Sequence, residues 1–108
     1  MLILFDQATP VPLRSFLKGH TVRTAAQQGW DRLRNGDLLN AAEAAGFQML
    51  LTTDKNMRYQ QNLAGRKLTV LVLGQQDWGL LRPQIQIVVD AVNQVAPGSY
   101  TEVEIPSR

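Results

Sequence analysis

Short apolar runs recur along the chain and are separated by stretches with a different spacing of apolar positions. Residues 2–5, 47–52 and 68–73 have the length and continuity of buried strands. A short apolar-polar alternation in 20–25 predicts a further strand, and 100–105 alternates against two glutamates as an exposed edge strand does. The run 68–73 is the most apolar, and we expect it to form the centre of the sheet.

The intervening segments carry helical signals. Thr9 and Pro10 resemble an N-cap followed by a first-turn proline, and they predict a helix that ends near Gly19 and buries three apolar residues, Leu13, Phe16 and Leu17. A second helix is predicted over 36–45, with Asn35 as N-cap, Gly46 as the stop and a buried face of Leu38, Leu39, Ala42 and Ala45. The other predicted helices are 56–63 and a long one from Pro83 to about Val95, and 26–34 is expected to be a loop.

Strands that alternate with helices of about ten residues predict an α/β fold with a mainly parallel sheet covered on both faces. The 108 residues, of which 44% are hydrophobic, are enough for one core, so we expect a single domain over 1–108. The chain has no cysteine. Disulfides, thiolate metal sites and thiol nucleophiles are therefore excluded, and any metal ligands must be oxygen atoms or His20.

The sequence contains no apolar window near the roughly 20 residues of a membrane span, and MLILF meets Asp6 before a signal-peptide core could form. A cytoplasmic protein without a membrane segment is the default expectation. The charge is unevenly distributed, because residues 1–67 carry nine basic and five acidic groups, while 68–108 carry two basic and four acidic groups. A charged partner is therefore expected to contact the first two-thirds of the chain, and nucleic acid is one such partner.

Three aspartates occupy positions suited to a site. Asp6 follows the first predicted strand, Asp54 follows the strand of residues 47–52, and Asp37 lies in the first turn of the helix between them. Ligands of open α/β sheets bind outside the carboxyl ends of the strands, so these carboxylates are candidates to converge there. Without thiolates, their natural cofactor is Mg²⁺ or Mn²⁺ held by oxygen ligands.

Each of these residues also has a structural interpretation. Asp37 would complement the helix macrodipole, and Asp6 would serve as a turn or capping residue. Thr52 and Thr53 either orient Asp54 through their hydroxyls or are only β-branched strand residues, and the alternation of a strand favours the second role for one of them. Both tryptophans, Trp30 and Trp78, are expected to be packing residues.

The stretch after Asp54 is polar and partly basic. Arg58, Tyr59 and the amides of Gln60, Gln61 and Asn62 could contact phosphates and bases, although an amphipathic surface helix has the same composition. Glycine-rich phosphate loops, nucleophile elbows and His-Glu-x-x-His motifs are absent from the sequence. Serine hydrolases and the common nucleotide-binding classes are therefore disfavoured.

Four segments, FDQATP, GHTVRT, NGDLLNAAEAAGF and LLTTDKNMRYQQNL, in this order and spacing resemble the compact bacterial PIN-like domains related to the toxin ribonucleases of toxin-antitoxin systems. The similarity covers about residues 1–74. Its most specific element is an early Asp followed by Pro, combined with Thr-x-Asp at the end of a later strand. Asp6 and Asp54 match these motif positions, and Asp37 matches the acidic position at the start of the intervening helix.

The resemblance implies a three-layer α/β/α sandwich in which Asp6, Asp37 and Asp54 bind Mg²⁺ or Mn²⁺ and RNA is cleaved. The RNA-contacting residues would be Lys55, Arg58, Tyr59 and Gln61, and the supporting residues would be Gln7, Thr52 and Asn56. Related domains often have acids where this chain has Gln7 and Asn56; amides can ligate a metal but do not neutralise its charge. A small antitoxin-like protein would be the natural partner.

Two other interpretations of the chain remain open. In the first, the fold is a catalytically degenerate PIN-like binding module that acts through a protein or RNA partner. In the second, it is a phosphoacceptor receiver domain, which usually needs an acidic pair after the first strand and a Lys after a late strand; FDQA and VLGQQ provide neither. The predicted edge strand 100–105 would also suit a homodimer contact.

Overall fold

The computed structural model describes residues 1–56 and 65–106, and it contains a five-stranded sheet in the order β2-β1-β3-β4-β5. Every neighbouring pair of strands is parallel. The strands are β1 (Leu2–Phe5), β2 (Thr21–Thr24), β3 (Met49–Thr52), β4 (Thr69–Leu73) and β5 (Tyr100–Val103). The predicted α/β class with a parallel sheet is therefore confirmed.

The central position in the sheet belongs to β3, and the prediction that 68–73 would be central is wrong. From β1 the chain continues to β2 on one side and then returns to the other side of β1 as β3. The strand of residues 69–73, β4, follows next and lies between β3 and the edge strand β5. Every residue of β3 and of β4 is buried. Continuous hydrophobicity separates interior strands from edge strands but does not order the interior strands among themselves.

The helices differ in detail from the predicted ones. The segment after Pro10 is a 3-10 helix, Val11–Phe16, rather than an α-helix. The helix α1 (Asn35–Ala44) has Arg34 at its N-cap position, so Asn35 is the first helical residue and not the cap. Gly46 supports the predicted stop, because its φ of 85° lies in the left-handed region that glycine adopts without steric cost.

The predicted helix from Pro83 begins earlier, because the side chain of Asp77 caps the N–H of Gly79 at 2.8 Å. This segment consists of α2 (Trp78–Leu81), a 3-10 turn (Arg82–Gln84) and α3 (Ile85–Gln94). The predicted helix over 56–63 lies outside the described residues apart from its first position. No helix in the described ranges is long and apolar enough to cross a membrane.

Neighbouring strand residues point to opposite faces, so the sheet separates two apolar clusters. Leu51 belongs to the cluster that packs against α3 through Val88 and Val92, whereas Leu50 belongs to the cluster that packs against α1 through Leu39. Helices therefore cover both faces of the sheet. The predicted burial of Phe16 and Ala45 is not observed: Phe16 is half-buried with its ring centroid 5.9 Å from that of Trp78, and Ala45 is exposed as the C-cap of α1.

Candidate functional site

Between β1 and β3 the order in which strands are added to the sheet changes from one side of β1 to the other. Open α/β sheets bind their ligands at such a switch point. The chain leaves β1 toward β2 on one side, whereas β3 flanks β1 on the other side, so a crevice forms outside the carboxyl ends of β1 and β3. Asp6 follows β1 directly, and Asp54 comes two residues after the end of β3. The strand order therefore brings two of the three predicted carboxylates to the switch point.

Hydroxyl groups hold the Asp6 carboxylate in one orientation. The Thr9 hydroxyl lies 2.7 Å from Asp6 Oδ1 and 2.9 Å from the carbonyl oxygen of Leu51, and it is buried between them. The Thr9 N–H donates to the same Oδ1 at 3.2 Å, while the Thr52 hydroxyl donates to Oδ2. Asp6 is therefore tied both to the turn that follows β1 and to the end of β3.

Thr52 also positions Asp54. The fully buried Thr52 Oγ1 accepts a hydrogen bond from the Asp54 N–H at 3.1 Å, in addition to donating to Asp6. Asp54 Oδ1 in turn accepts from the N–H of Asn56 at 2.9 Å, which is a local turn of the kind aspartate stabilises. One threonine hydroxyl thus links the two carboxylate-bearing loops, and the interpretation of Thr52 as an orienting residue is supported.

A cleft of about 660 Å³ opens at this edge of the sheet. Its volume lies within the roughly 300–1,000 Å³ typical of small-molecule sites. The lining residues are Asp6, Gln7, Ala8, Ala25, Trp30, Asp31, Leu33, Arg34, Leu38, Thr53, Asp54, Lys55, Asn56 and Gln76. Three carboxylates and two cations therefore share one concave surface, with a group of apolar side chains on the same wall.

The predicted site residues are only partly brought together. Asp6 and Asp54 line the cleft together with Gln7, Lys55 and Asn56, as the sequence led us to expect. Asp37 does not line it and is exposed in the first turn of α1, although its helix neighbours Arg34 and Leu38 do line it. Arg58, Tyr59 and Gln61 lie outside the described residues.

The expected cluster of three carboxylates around one ion is not formed in the part of the chain that the structure describes. No group of three or more Asp, Glu, His or Cys side chains within residues 1–56 and 65–106 could hold a metal ion. The third carboxylate of the cleft is Asp31, which lies in the loop after β2. The arrangement is therefore a pair of aspartates at the switch point with amide and hydroxyl groups around them.

Sequence reasoning missed several residues of the cleft. Trp30, Asp31 and Arg34 come from the loop after β2, and Gln76 follows β4. Thr53 is different, because the sequence named it with Thr52 as a candidate to orient Asp54. It lines the cleft, but its buried hydroxyl oxygen has no hydrogen-bond partner among the described residues, so that orienting role is not observed for Thr53. Inspection of the residues directly after each strand, the rule that located Asp6 and Asp54, would also have found Gln76, three residues after β4. It does not reach Trp30, Asp31 and Arg34, which lie six to ten residues after the end of β2.

Comparison with known proteins identifies no relative: no family model, curated protein or solved structure matches the chain.

Proposed function

We propose that the protein is a divalent-metal-dependent ribonuclease of PIN-like α/β/α architecture, which hydrolyses RNA phosphodiesters in the cleft outside β1 and β3. The observation that carries this proposal is the pair Asp6 and Asp54, which are coupled through the Thr52 hydroxyl at the switch point of the sheet. The choice of RNA is supported by the resemblance of FDQATP and LLTTDKNMRYQQNL to PIN-like domains and by the basic excess in residues 1–67.

The donor set of the cleft suits Mg²⁺ or Mn²⁺. Mg²⁺ in phosphoryl-transfer sites is usually held by one or two carboxylates, and its other ligands are waters and substrate phosphate oxygens. Asp6 and Asp54 supply two carboxylates, and Gln7, Asn56 and Thr53 add neutral oxygen atoms on the same surface. A site with two carboxylates needs no third acid, so we assign no ligand role to Asp37, which lies outside the cleft lining.

The roles of the chain's own residues follow from their positions. A bound ion would lower the pKa of a water molecule and offset charge on the phosphodiester. Thr9 and Thr52 fix the direction of the Asp6 oxygens, which avoids reorganisation when an ion and substrate bind. Lys55, an exposed residue of the cleft lining, would contact an RNA phosphate.

The biological role that accompanies this activity is that of the toxin in a toxin-antitoxin pair. A small antitoxin-like protein would then inhibit the enzyme by covering the cleft. The exposed rim residues Arg34 and Lys55 give such a partner charged groups to contact.

A second candidate is a catalytically degenerate binding module of the same fold. It is favoured by the lack of a three-carboxylate cluster within the described ranges, and by the amides at Gln7 and Asn56 where related domains carry acids. In this case the cleft would bind an RNA or protein partner without cleaving it.

Calorimetric titration with Mn²⁺ separates the two candidates. The wild type is expected to bind Mn²⁺ saturably, and Asp54→Asn is expected to lose that binding, because an amide does not neutralise the ion. Circular dichroism of both proteins checks that the loss does not reflect unfolding. Absence of binding by the folded wild type would favour the degenerate module.

Asp37→Asn is the matched control, because it removes the same charge from a residue outside the cleft lining. We expect it to retain Mn²⁺ binding and RNA cleavage, which Asp54→Asn should lose together. If Asp37→Asn were as damaging as Asp54→Asn, the three-carboxylate site predicted from the sequence would be correct and the two-carboxylate site wrong.

A further inference from the structure

The cleft lining includes residues that metal ligation does not use. They are Trp30 and three aliphatic residues, Ala25, Leu33 and Leu38, together with the exposed Asp31 and Arg34 of the loop that carries Trp30. One cleft therefore contains an aromatic ring, a cation and two carboxylates. These groups suit the three parts of an RNA substrate, since a ring can stack on a base, a cation can contact a phosphate, and a carboxylate-bound metal can act on the scissile phosphodiester.

The Trp30 side chain is held in place before any ligand arrives. Its ring makes an edge contact with Phe47, with centroids 5.8 Å apart and planes at 68°. Its backbone N–H donates to the carbonyl oxygen of Ala25 at 2.8 Å, and its carbonyl oxygen accepts from the N–H of Leu33 at 3.0 Å. Trp30 is nevertheless only half-buried. A preorganised aromatic face that still reaches solvent binds a planar ligand with little loss of side-chain entropy.

We propose that the 30–34 segment forms a nucleobase subsite, in which Trp30 stacks on an unpaired base of single-stranded RNA and Arg34 contacts a neighbouring phosphate. The inference rests on the proposed function, and it adds a substrate class and two binding residues to it. Aromatic stacking suits single strands, since the bases of a duplex are already stacked and unavailable. Every base has a π-face, so the subsite accepts all four bases.

Intrinsic fluorescence tests the proposal, because the two tryptophans lie on opposite sides of the sheet. Trp30 packs with the cluster on the α1 side, whereas Trp78 packs with the cluster on the α3 side and does not line the cleft. The variant Trp78→Phe retains Trp30 as the only tryptophan, and Trp30→Phe retains Trp78. Titration of each variant with a single-stranded RNA oligonucleotide, in EDTA to prevent metal-dependent cleavage, reports stacking at Trp30 directly.

We expect RNA to quench the emission of Trp78→Phe and to leave that of Trp30→Phe nearly unchanged. An oligonucleotide of abasic ribose phosphates is the matched probe, and we expect it to bind more weakly and to cause no quenching. Anisotropy of a labelled RNA measures binding independently, and Trp30→Ala should weaken that binding roughly 5- to 150-fold. Because Trp30 also packs on Phe47, circular dichroism must confirm that Trp30→Ala is folded, and Arg34→Gln provides a second test that leaves the packing intact.

The outcomes separate the subsite from the catalytic proposal. If RNA binds but does not quench Trp30, or if abasic and normal RNA bind equally, the subsite is wrong and the ribonuclease proposal is unaffected. Quenching by an RNA that the protein never cleaves with Mn²⁺ would retain the subsite and remove the catalytic function. If no RNA binds with or without Mn²⁺, both proposals are overturned.

Discussion

A single hydroxyl at the end of β3 organises the candidate site. Thr52 donates to Asp6 and accepts from the Asp54 N–H, so the two loops that carry the carboxylates share one buried polar atom. Thr53, the next residue, has a buried hydroxyl oxygen without a partner in the described chain. The hydroxyls of these two adjacent threonines therefore affect stability in opposite directions: that of Thr52 is hydrogen-bonded and stabilises the fold, whereas that of Thr53 is buried without a partner and destabilises it.

Thr52→Val should lower the free energy of unfolding by about 2 kcal/mol, because it leaves the Asp54 N–H and one Asp6 oxygen without their buried partner. Thr53→Val should leave stability unchanged or raise it, because it removes a polar atom that is buried without a hydrogen bond. Urea denaturation of the two variants beside the wild type measures both effects. Equal losses of stability in both variants would show that the hydrogen bonds of Thr52 contribute nothing beyond the general cost of replacing a hydroxyl with a methyl group at this end of β3.

At the scale of elements, the central strand β3, like β1 and β4, contributes residues to the apolar clusters on both faces of the sheet. Leu50 packs toward α1 and Leu51 toward α3, and neither is accessible to solvent. Thr52 is the last residue of β3, and the two residues that follow it, Thr53 and Asp54, line the candidate site. Stability of the core and geometry of the site are therefore coupled through this short element.

Leu50→Ala should destabilise the protein by about 2–5 kcal/mol, because it opens a cavity between β3 and α1 that the parallel sheet cannot collapse to fill. Leu80→Ala is the control with the same change at a leucine that is 44% exposed, and it should cost less than about 0.5 kcal/mol. Thermal or urea unfolding of the two variants gives the comparison. A small effect at Leu50 would mean that the α1 side repacks, contrary to the arrangement described above.

The cap of α2 gives a prediction on a single helix terminus. Asp77→Ala should cost about 1 kcal/mol, since it removes the acceptor for the Gly79 N–H, while Asp77→Asn should retain most of the stability because asparagine caps equally well. Chemical denaturation distinguishes the two substitutions. Equal losses in both variants would indicate that the charge of Asp77, rather than its capping bond, stabilises the helix.

At the scale of the whole molecule, the charge distribution and the two sheet edges determine how partners approach. Residues 1–67, with nine basic and five acidic groups, include every charged residue of the cleft lining. The sheet ends in β2 on one side and β5 on the other within the described chain. The predicted homodimer contact through β5 stays a prediction, which sedimentation at several protein concentrations would check.

Binding of single-stranded RNA should weaken steeply with salt, because each neutralised phosphate contributes about −0.7 to the slope of log K against log salt concentration. Lys55→Gln should make that slope shallower by about one phosphate contact and weaken binding similarly for different sequences. Lys18→Gln, which removes another exposed cation that does not line the cleft, should leave the slope unchanged. Anisotropy titrations at several salt concentrations provide the slopes, and an unchanged slope for Lys55→Gln would remove Lys55 from the interface.

Local signals in the sequence predicted the elements correctly where a pattern is compatible with a single structure. The runs at Leu2–Phe5 and Thr69–Leu73 could only be buried strands, and Gly46 ended α1 as expected. Predictions failed where the local signal fits two structures equally. Pro10 is compatible with a 3-10 helix as well as an α-helix, and Asp77 capped a helix several residues before the proline that was expected to open it.

The sequence by itself determined the α/β class, the parallel strands and the placement of Asp6 and Asp54 at strand ends, because hydrophobic periodicity is a local property of the chain and strands that alternate with helices have the crossover connections of a parallel sheet. Only the tertiary structure decided that β3 is central, that Thr52 joins the two aspartates and that the 30–34 loop, rather than Asp37, completes the cleft. These features depend on which strands become neighbours. That choice is made by packing between residues distant in sequence, and periodicity within one segment carries no information about it.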